Sequence, residues 1–214
     1  MKVVEIFRSI EGEGAFMGAP TTFIRLFGCN MRCVWCDSVY TYEGKYEEIA
    51  IESIAAKAAY LGGSVLSVTG GEPFMHDELG ALCDALSALN KTIKIETNGT
   101  LWQRIDAKVH ITVSPKPPKY AIDDRIAKAA NELKFVVDTE LNEAILLRDV
   151  FRAIYDRGVA PTLQLESNKA DSLARALKLQ NDLLDRGVSA RVLPQLHKLL
   201  NLPYISPRSQ KSIS

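Results

Sequence analysis

The stretch Thr21-Thr22-Phe23-Ile24-Arg25-Leu26-Phe27-Gly28-Cys29-Asn30-Met31-Arg32-Cys33-Val34-Trp35-Cys36-Asp37-Ser38 joins two signals. Thr21 to Phe27 is rich in β-branched and aromatic residues, the composition of a strand. Beyond it, three cysteines follow in the spacing C-x3-C-x2-C. In parallel α/β folds, working groups collect at the carboxyl ends of strands. Three thiolates on one short loop can wrap a corner of a cubane iron–sulfur cluster. The fourth iron then lacks a protein ligand, and an open metal position is what catalysis uses.

Outward from this stretch the chain alternates. Further β-rich runs are Val65 to Val68, Thr92 to Glu96, Val109 to Val113, Leu133 to Val137 and Thr162 to Leu165, with Ala190 to Leu193 as a possible addition. Helical patterns fall at Glu47 to Leu61, Asp77 to Leu89, Leu141 to Tyr155 and Asp171 to Leu184. The Leu141 helix carries a core-facing stripe at positions 145, 146, 147, 150, 151 and 154. Gly62-Gly63 and Gly158 read as helix stops. Strand–helix repetition predicts an α/β fold with about six parallel core strands, either open or curled into a partial barrel. After each strand stands an unusual group: the cysteines, Thr69-Gly70-Gly71-Glu72-Pro73, Thr97-Asn98-Gly99, Ser114-Pro115-Lys116, Glu166-Ser167 and Pro194-Gln195-Leu196-His197. All are expected to meet at one rim, which points to an enzyme.

Composition bounds the rest. Lys plus Arg and Asp plus Glu both number 26, so no net field attracts nucleic acid or an anionic membrane. No apolar run is long enough to span a bilayer, and the start lacks the pattern of a signal peptide, so a cytoplasmic location is expected. Residues 1–203 read as one domain and 204–214 as a polar tail.

The chain has four cysteines. The fourth, Cys83, sits in an apolar helical pattern and reads as a small core residue. A structural zinc site needs four ligands, usually in two pairs, and a ferredoxin-like carrier needs a fourth thiolate. His76, at a helix start, is a weak fourth ligand and reads as solvated.

Cys29-x3-Cys33-x-Trp35-Cys36 resembles the signature of radical S-adenosylmethionine (SAM) enzymes. The resemblance implies a modified partial (β/α) barrel and a [4Fe-4S] cluster held by the three thiolates. SAM would chelate the open iron, and its one-electron cleavage would give a 5′-deoxyadenosyl radical. Trp35 matches the aromatic position near the adenine. Gly70-Gly71-Glu72-Pro73 resembles the superfamily's GGEP motif, with glycines admitting a ligand to the backbone and Glu72 facing its cation. Glu96-Thr97-Asn98-Gly99 resembles the ETNG segment beside SAM. Ser114, Pro115, Lys116 and Gln164 complete the implied SAM contacts.

The N-terminus narrows the family. Ile10-Glu11-Gly12-Glu13 sets two acids around a glycine, and Arg25 precedes Cys29 by four residues. Carboxylates accept from ring N–H groups, and arginine forks a carboxylate. With Cys36-Asp37-Ser38 and Pro194-Gln195-Leu196-His197-Lys198, this block resembles the 7-carboxy-7-deazaguanine synthases. The family implies a pterin substrate, 6-carboxy-5,6,7,8-tetrahydropterin, held at Arg25, Ile10, Glu11, Gly12, Glu13, Thr69 and His197. It further implies Mg2+ on Ser38, a one-electron reductant such as flavodoxin, a homodimer, and a product feeding queuosine formation. Three departures stand out: Glu11 where many relatives have Gln, Ser38 where Thr is common, and a tail that extends beyond Pro203 where some relatives end. A glycyl-radical-enzyme activase and a non-catalytic iron–sulfur carrier remain as alternatives.

Overall fold

The computed structural model describes residues 1–202, so the expectation for the tail from Tyr204 to Ser214 lies outside the described residues. In chain order the elements are β1 (Lys2–Ile10), β2 (Pro20–Leu26), α1 (Tyr40–Glu43), β3 (Glu47–Glu48), α2 (Ile51–Leu61), β4 (Val65–Gly70), α3 (Leu79–Ser87), β5 (Thr92–Thr97), β6 (His110–Val113), α4 (Asp124–Ala129), β7 (Glu132–Val137), α5 (Glu143–Leu146), α6 (Asp149–Tyr155), β8 (Pro161–Leu165), α7 (Ala170–Leu184), β9 (Arg191–Leu193) and α8 (Leu196–Leu199). They build one 9-stranded sheet in the order β3-β1-β2-β4-β5-β6-β7-β8-β9. From β2 to β9 every neighbouring pair is parallel; β1 and β3 are added antiparallel at one edge. The sheet stays open, and Ala190 to Leu193 does supply its last parallel strand.

Each core strand has two chemistries. Ile93 and Ile95, Leu133 and Phe135, and Leu163 are buried among the hydrophobic residues of the helices, such as Ile54, Leu82, Phe151 and Leu183. At the alternate positions stand Ser67 and Thr69, Lys94 and Glu96, Thr112, Glu132 and Lys134, and Thr162 and Gln164, in register from strand to strand. Successive side chains point to opposite faces, so one face packs the helices and the other forms a polar interior.

Three expectations need correction. Lys2–Ile10 forms a strand that the sequence reading missed: a register shift between Val3 and Glu5 breaks its alternation. Glu47 and Glu48 pair with Lys2 and Val3, so the helix there starts only at Ile51. The single helix expected from Leu141 to Tyr155 divides at Arg148, which is extended (φ −58°, ψ 147°). Its two halves dock on different partners, α5 on α7 and α6 on α4, so one axis could not serve both. Gly62 and Gly158 do end helices, with φ of 73° and 83°.

Candidate active site

Cys29, Cys33 and Cys36 follow β2, half-buried and unpaired by disulfide, and face one cavity of about 770 Å³. The Cys36 N–H donates to the Cys33 carbonyl at 3.1 Å, and the Met31 N–H to Cys29 Sγ at 3.4 Å. Burial pushes the Cys29 and Cys33 thiols up, and the charge of Cys36 adds to it at both. Thiols whose ionisation burial opposes, as at Cys29 and Cys33, suit a cationic centre, which favours the thiolate form. The donor set fits a [4Fe-4S] cluster with one iron open.

Neither other candidate ligand joins them. Cys83 is 0% exposed in α3, and burial pushes its thiol up to about 12. His76 is not solvated as expected: it is buried, with Nε2 2.9 Å from the Phe27 carbonyl, pinning the base of the cysteine loop. Cys83→Ala is therefore expected to leave iron content and cluster spectrum unchanged. It should cost only about 1–2 kcal/mol of stability as a small cavity, checked by thermal unfolding.

Gly70, the last residue of β4, and Gly71 after it are required by the protein's own chain. A Cβ on Gly71 would overlap the Gly28 carbonyl oxygen, and one on Gly70 (φ +116°) would overlap Leu26 O. The backbones are laced together: Gly71 N–H donates to Leu26 O at 3.0 Å and Glu72 N–H to Gly28 O at 2.7 Å. Glu72 does not face the cavity as expected. Fully buried, it accepts from Asn98 N (2.7 Å), Thr97 Oγ1 (2.7 Å) and Phe74 N (3.1 Å), tying the loops after β4 and β5 together. Burial pushes its carboxyl up against those donors.

Gln164 and Pro115 also lie outside the cavity lining. Gln164 bridges inward instead, donating to Leu193 O at 2.9 Å and accepting from Gly14 N at 3.4 Å. Pro115 is buried behind Ser114 and Lys116, which do reach the cavity. All other expected site residues line it: Ile10, Glu11, Gly12, Glu13, Arg25, Ser38, Trp35, Thr69, Gly70, Gly71, Glu96, Asn98 and His197, besides the cysteines.

Four side chains that no motif marked hold these residues in place. Asp138 accepts from Trp35 Nε1 at 3.0 Å and from Tyr120 Oη at 2.9 Å, fixing the Trp35 ring, over which Lys116 Nζ sits 5.0 Å from the centroid. Glu5 accepts from Arg25 Nε at 2.9 Å. The Arg25 guanidinium also lies 5.6 Å from the Phe7 ring and 5.8 Å from that of Tyr40. The other two are buried lysines. Lys94 Nζ is 3.0 Å from Glu11 Oε2 and 2.6 Å from Glu96 Oε1, and Lys134 Nζ is 2.9 Å from that same Glu96 oxygen and 2.7 Å from Glu13 Oε2. Burial raises the Glu96 carboxyl, but Lys134 and Lys94 override it and hold it far below the usual range. At Glu13 burial likewise gives way to Lys134, whereas at Glu11 burial wins over Lys94 and the carboxyl stays raised.

Across the mouth, Leu196 N–H donates to Gly12 O at 2.9 Å, and a Cβ on Gly12 would lie 2.9 Å from His197 Cγ. Gln195 donates to Glu13 Oε1 at 2.6 Å and accepts from Ser167 N at 2.8 Å. Ligand atoms of Glu13, Asp37 and His197 lie within 4.8 Å of one another beside Ser38. Glu13 already uses one oxygen on Lys134 and the other on Gln195, so Asp37 and His197 are the freer pair.

Residues 23–130 match the family model of the radical SAM superfamily. The chain is 39% identical to a 7-carboxy-7-deazaguanine synthase of Aquifex aeolicus over 92% of both chains. It is 30% identical to one of Rickettsia prowazekii, covering 94% of this chain and 88% of that one. Its structure is similar to that of QueE from Escherichia coli, with a TM-score of 0.75, 26% identity, and 92% and 94% of the two chains covered. With three thiols on the loop after β2 and a cavity running from them to the Glu11–Glu13 edge, these likenesses agree: the chain belongs to the 7-carboxy-7-deazaguanine synthase family of the radical SAM superfamily.

Proposed function

We propose that the chain converts 6-carboxy-5,6,7,8-tetrahydropterin to 7-carboxy-7-deazaguanine with loss of ammonia, a step towards 7-deazapurines and queuosine. The observation that carries this is one cavity shared by three cluster-type thiols, an arginine and paired carboxylates. A [4Fe-4S] cluster with SAM supplies hydrogen-atom abstraction when bound. Cys29, Cys33 and Cys36 hold the cluster. Gly70, Gly71, Glu96, Asn98, Ser114, Lys116 and Trp35 would border SAM. Glu72, Pro115 and Gln164 support that border from behind.

At the other end, Arg25 pairs with the substrate carboxylate. Its Nε is committed to Glu5, which aims the rest of the guanidinium. Glu11, Glu13, Thr69, Ile10 and Gly12 fix the ring, and His197 closes the edge. Ser38, with Asp37 and His197 at hand, would hold a Mg2+ ion, which would supply positive charge for the substrate carboxylate; hard oxygen donors suit that ion. A one-electron reductant such as flavodoxin, a homodimer and a cytoplasmic setting belong to the same reading. Among the described residues, no helix is long and apolar enough to cross a membrane.

Anaerobic reconstitution with SAM, a reductant and the tetrahydropterin tests it. Deazaguanine absorbance with SAM unconsumed is the expected result. Deoxyadenosine formed only with a partner protein would mean an activase, and a cluster indifferent to SAM would mean a carrier. Arg25→Ala should lower turnover by about 100-fold or more while the cluster spectrum persists, because a buried charge pair loses one member. Loss of the spectrum would make Arg25 structural.

A further inference from the structure

The buried row Glu11–Lys94–Glu96–Lys134–Glu13 alternates in charge and joins two strands, β5 and β7, to the loop after β1. It holds three carboxylates and two ammonium groups, one negative charge in excess. Four of its members line the cavity; Lys94 does not, and it is 0% exposed. Glu11 is pinned by its backbone, its N–H donating to Ala19 O at 2.8 Å and its carbonyl accepting from Gly18 N at 2.8 Å. Its Oε1 accepts only the adjacent Gly12 N–H, at 3.1 Å, and its buried Oε2 has no aligned donor among the described residues. Lys94, 3.0 Å away, is the cation that balances it. Glu96 has a second cation in Lys134; Glu11 has no other within ion-pair distance among the described residues. A buried carboxylate without a counter-charge is strongly disfavoured.

We propose that Lys94 is a positioning residue for substrate: from behind the cavity wall it holds the Glu11 carboxylate as the acceptor for a ring N–H. The role rests on the functional reading above. It predicts a dependence in one direction. Glu11 needs Lys94, but a neutral amide at position 11 does not.

Anaerobic titration calorimetry of reconstituted protein with 6-carboxy-5,6,7,8-tetrahydropterin, SAM present, measures this. Lys94→Met should weaken pterin binding by about tenfold or more, the loss of a charge-assisted acceptor. SAM affinity measured without the pterin should hold within about threefold, since Glu96 keeps Lys134. Glu11→Gln combined with Lys94→Met should bind the pterin within about threefold of Glu11→Gln alone, the mark of two residues that act as one unit. A K94M protein that binds like the wild type overturns the role. So does a double variant that falls a further tenfold below E11Q, or SAM affinity that falls together with that for the pterin. If K94M does not fold, Lys94→Gln, which removes the charge but keeps a polar side chain, takes its place in both comparisons, with the same expected and overturning results. Wild-type protein that does not bind the pterin sinks the functional reading and Lys94's role with it; wild-type binding with K94M unchanged sinks only Lys94's.

Discussion

Gly71→Ala is expected to cost the protein its cluster, not only its affinity for SAM. The new methyl would overlap the Gly28 carbonyl oxygen and lie 3.1 Å from Cys29 N. Neither backbone can yield easily. Gly28 N–H is anchored to Thr41 O at 2.7 Å, its carbonyl takes Glu72 N–H, and Gly71 N–H is held by Leu26 O. Inserting one carbon into such a contact costs about 1–3 kcal/mol or more and shifts backbone. Here the backbone that shifts carries Cys29, and metal–ligand distances tolerate only about 0.2 Å. Reconstituted iron per protein should fall by more than half, and turnover by roughly 100-fold, since small misplacements of a reacting centre are that costly. A variant that keeps full iron and loses only SAM binding would show that the ligand, not the cysteine loop, demands glycine here.

Much of the rim could be read from the residues in order. Each strand from Thr21 to Leu193 ends in a conspicuous group, and most of those groups line one cavity. What escaped was the far side of each motif. Glu72 reads as a ligand because an acid beside two glycines suggests a cation, yet its partners Thr97 and Asn98 lie 25 and 26 residues away, a distance that no local pattern encodes. Gln164 looks the same whether it faces a cofactor or, as found, Leu193 O and Gly14 N. Lys94 and Lys134 did leave a signal. A central parallel strand is usually apolar on both faces. Thr92-Ile93-Lys94-Ile95-Glu96 and Glu132-Leu133-Lys134-Phe135 instead alternate strictly, with opposite charges on the polar face. Such alternation in central strands marks a polar interior whose charges neutralise one another. The missed strand Lys2–Ile10 left a weaker trace, because its bulge shifts the phase of its apolar residues. The break at Arg148 left none, since the stripe around it is continuous and only the positions of α4 and α7 divide it.

Glu72→Ala should then behave as a stability variant first and a cofactor variant second. The carboxylate is fully buried and divides its work: Oε1 accepts from Thr97 Oγ1 and Phe74 N, Oε2 from Asn98 N. Alanine leaves two backbone N–H groups and a hydroxyl buried without their acceptor. Each unsatisfied group costs about 1–3 kcal/mol, so a loss of about 3–5 kcal/mol is expected for the cluster-free protein. In a domain of this size that lowers Tm by roughly 10 °C. Glu72→Gln keeps the shape but replaces one oxygen with an NH2. In one orientation the NH2 meets the Asn98 N–H; in the other it meets Phe74 N–H, although the Thr97 hydroxyl can turn to accept. Either way one backbone donor loses its acceptor, so about half of the alanine effect remains. Thermal unfolding without cluster or SAM separates the two roles. If Glu72 were a direct SAM ligand, both variants would melt with the wild type and differ only when SAM is added. If it braces the loops after β4 and β5, the ranking Ala below Gln below Glu appears in the cofactor-free protein. Weaker SAM binding then follows because Asn98 and Gly71, which line the cavity, have lost the carboxylate that joins their loops.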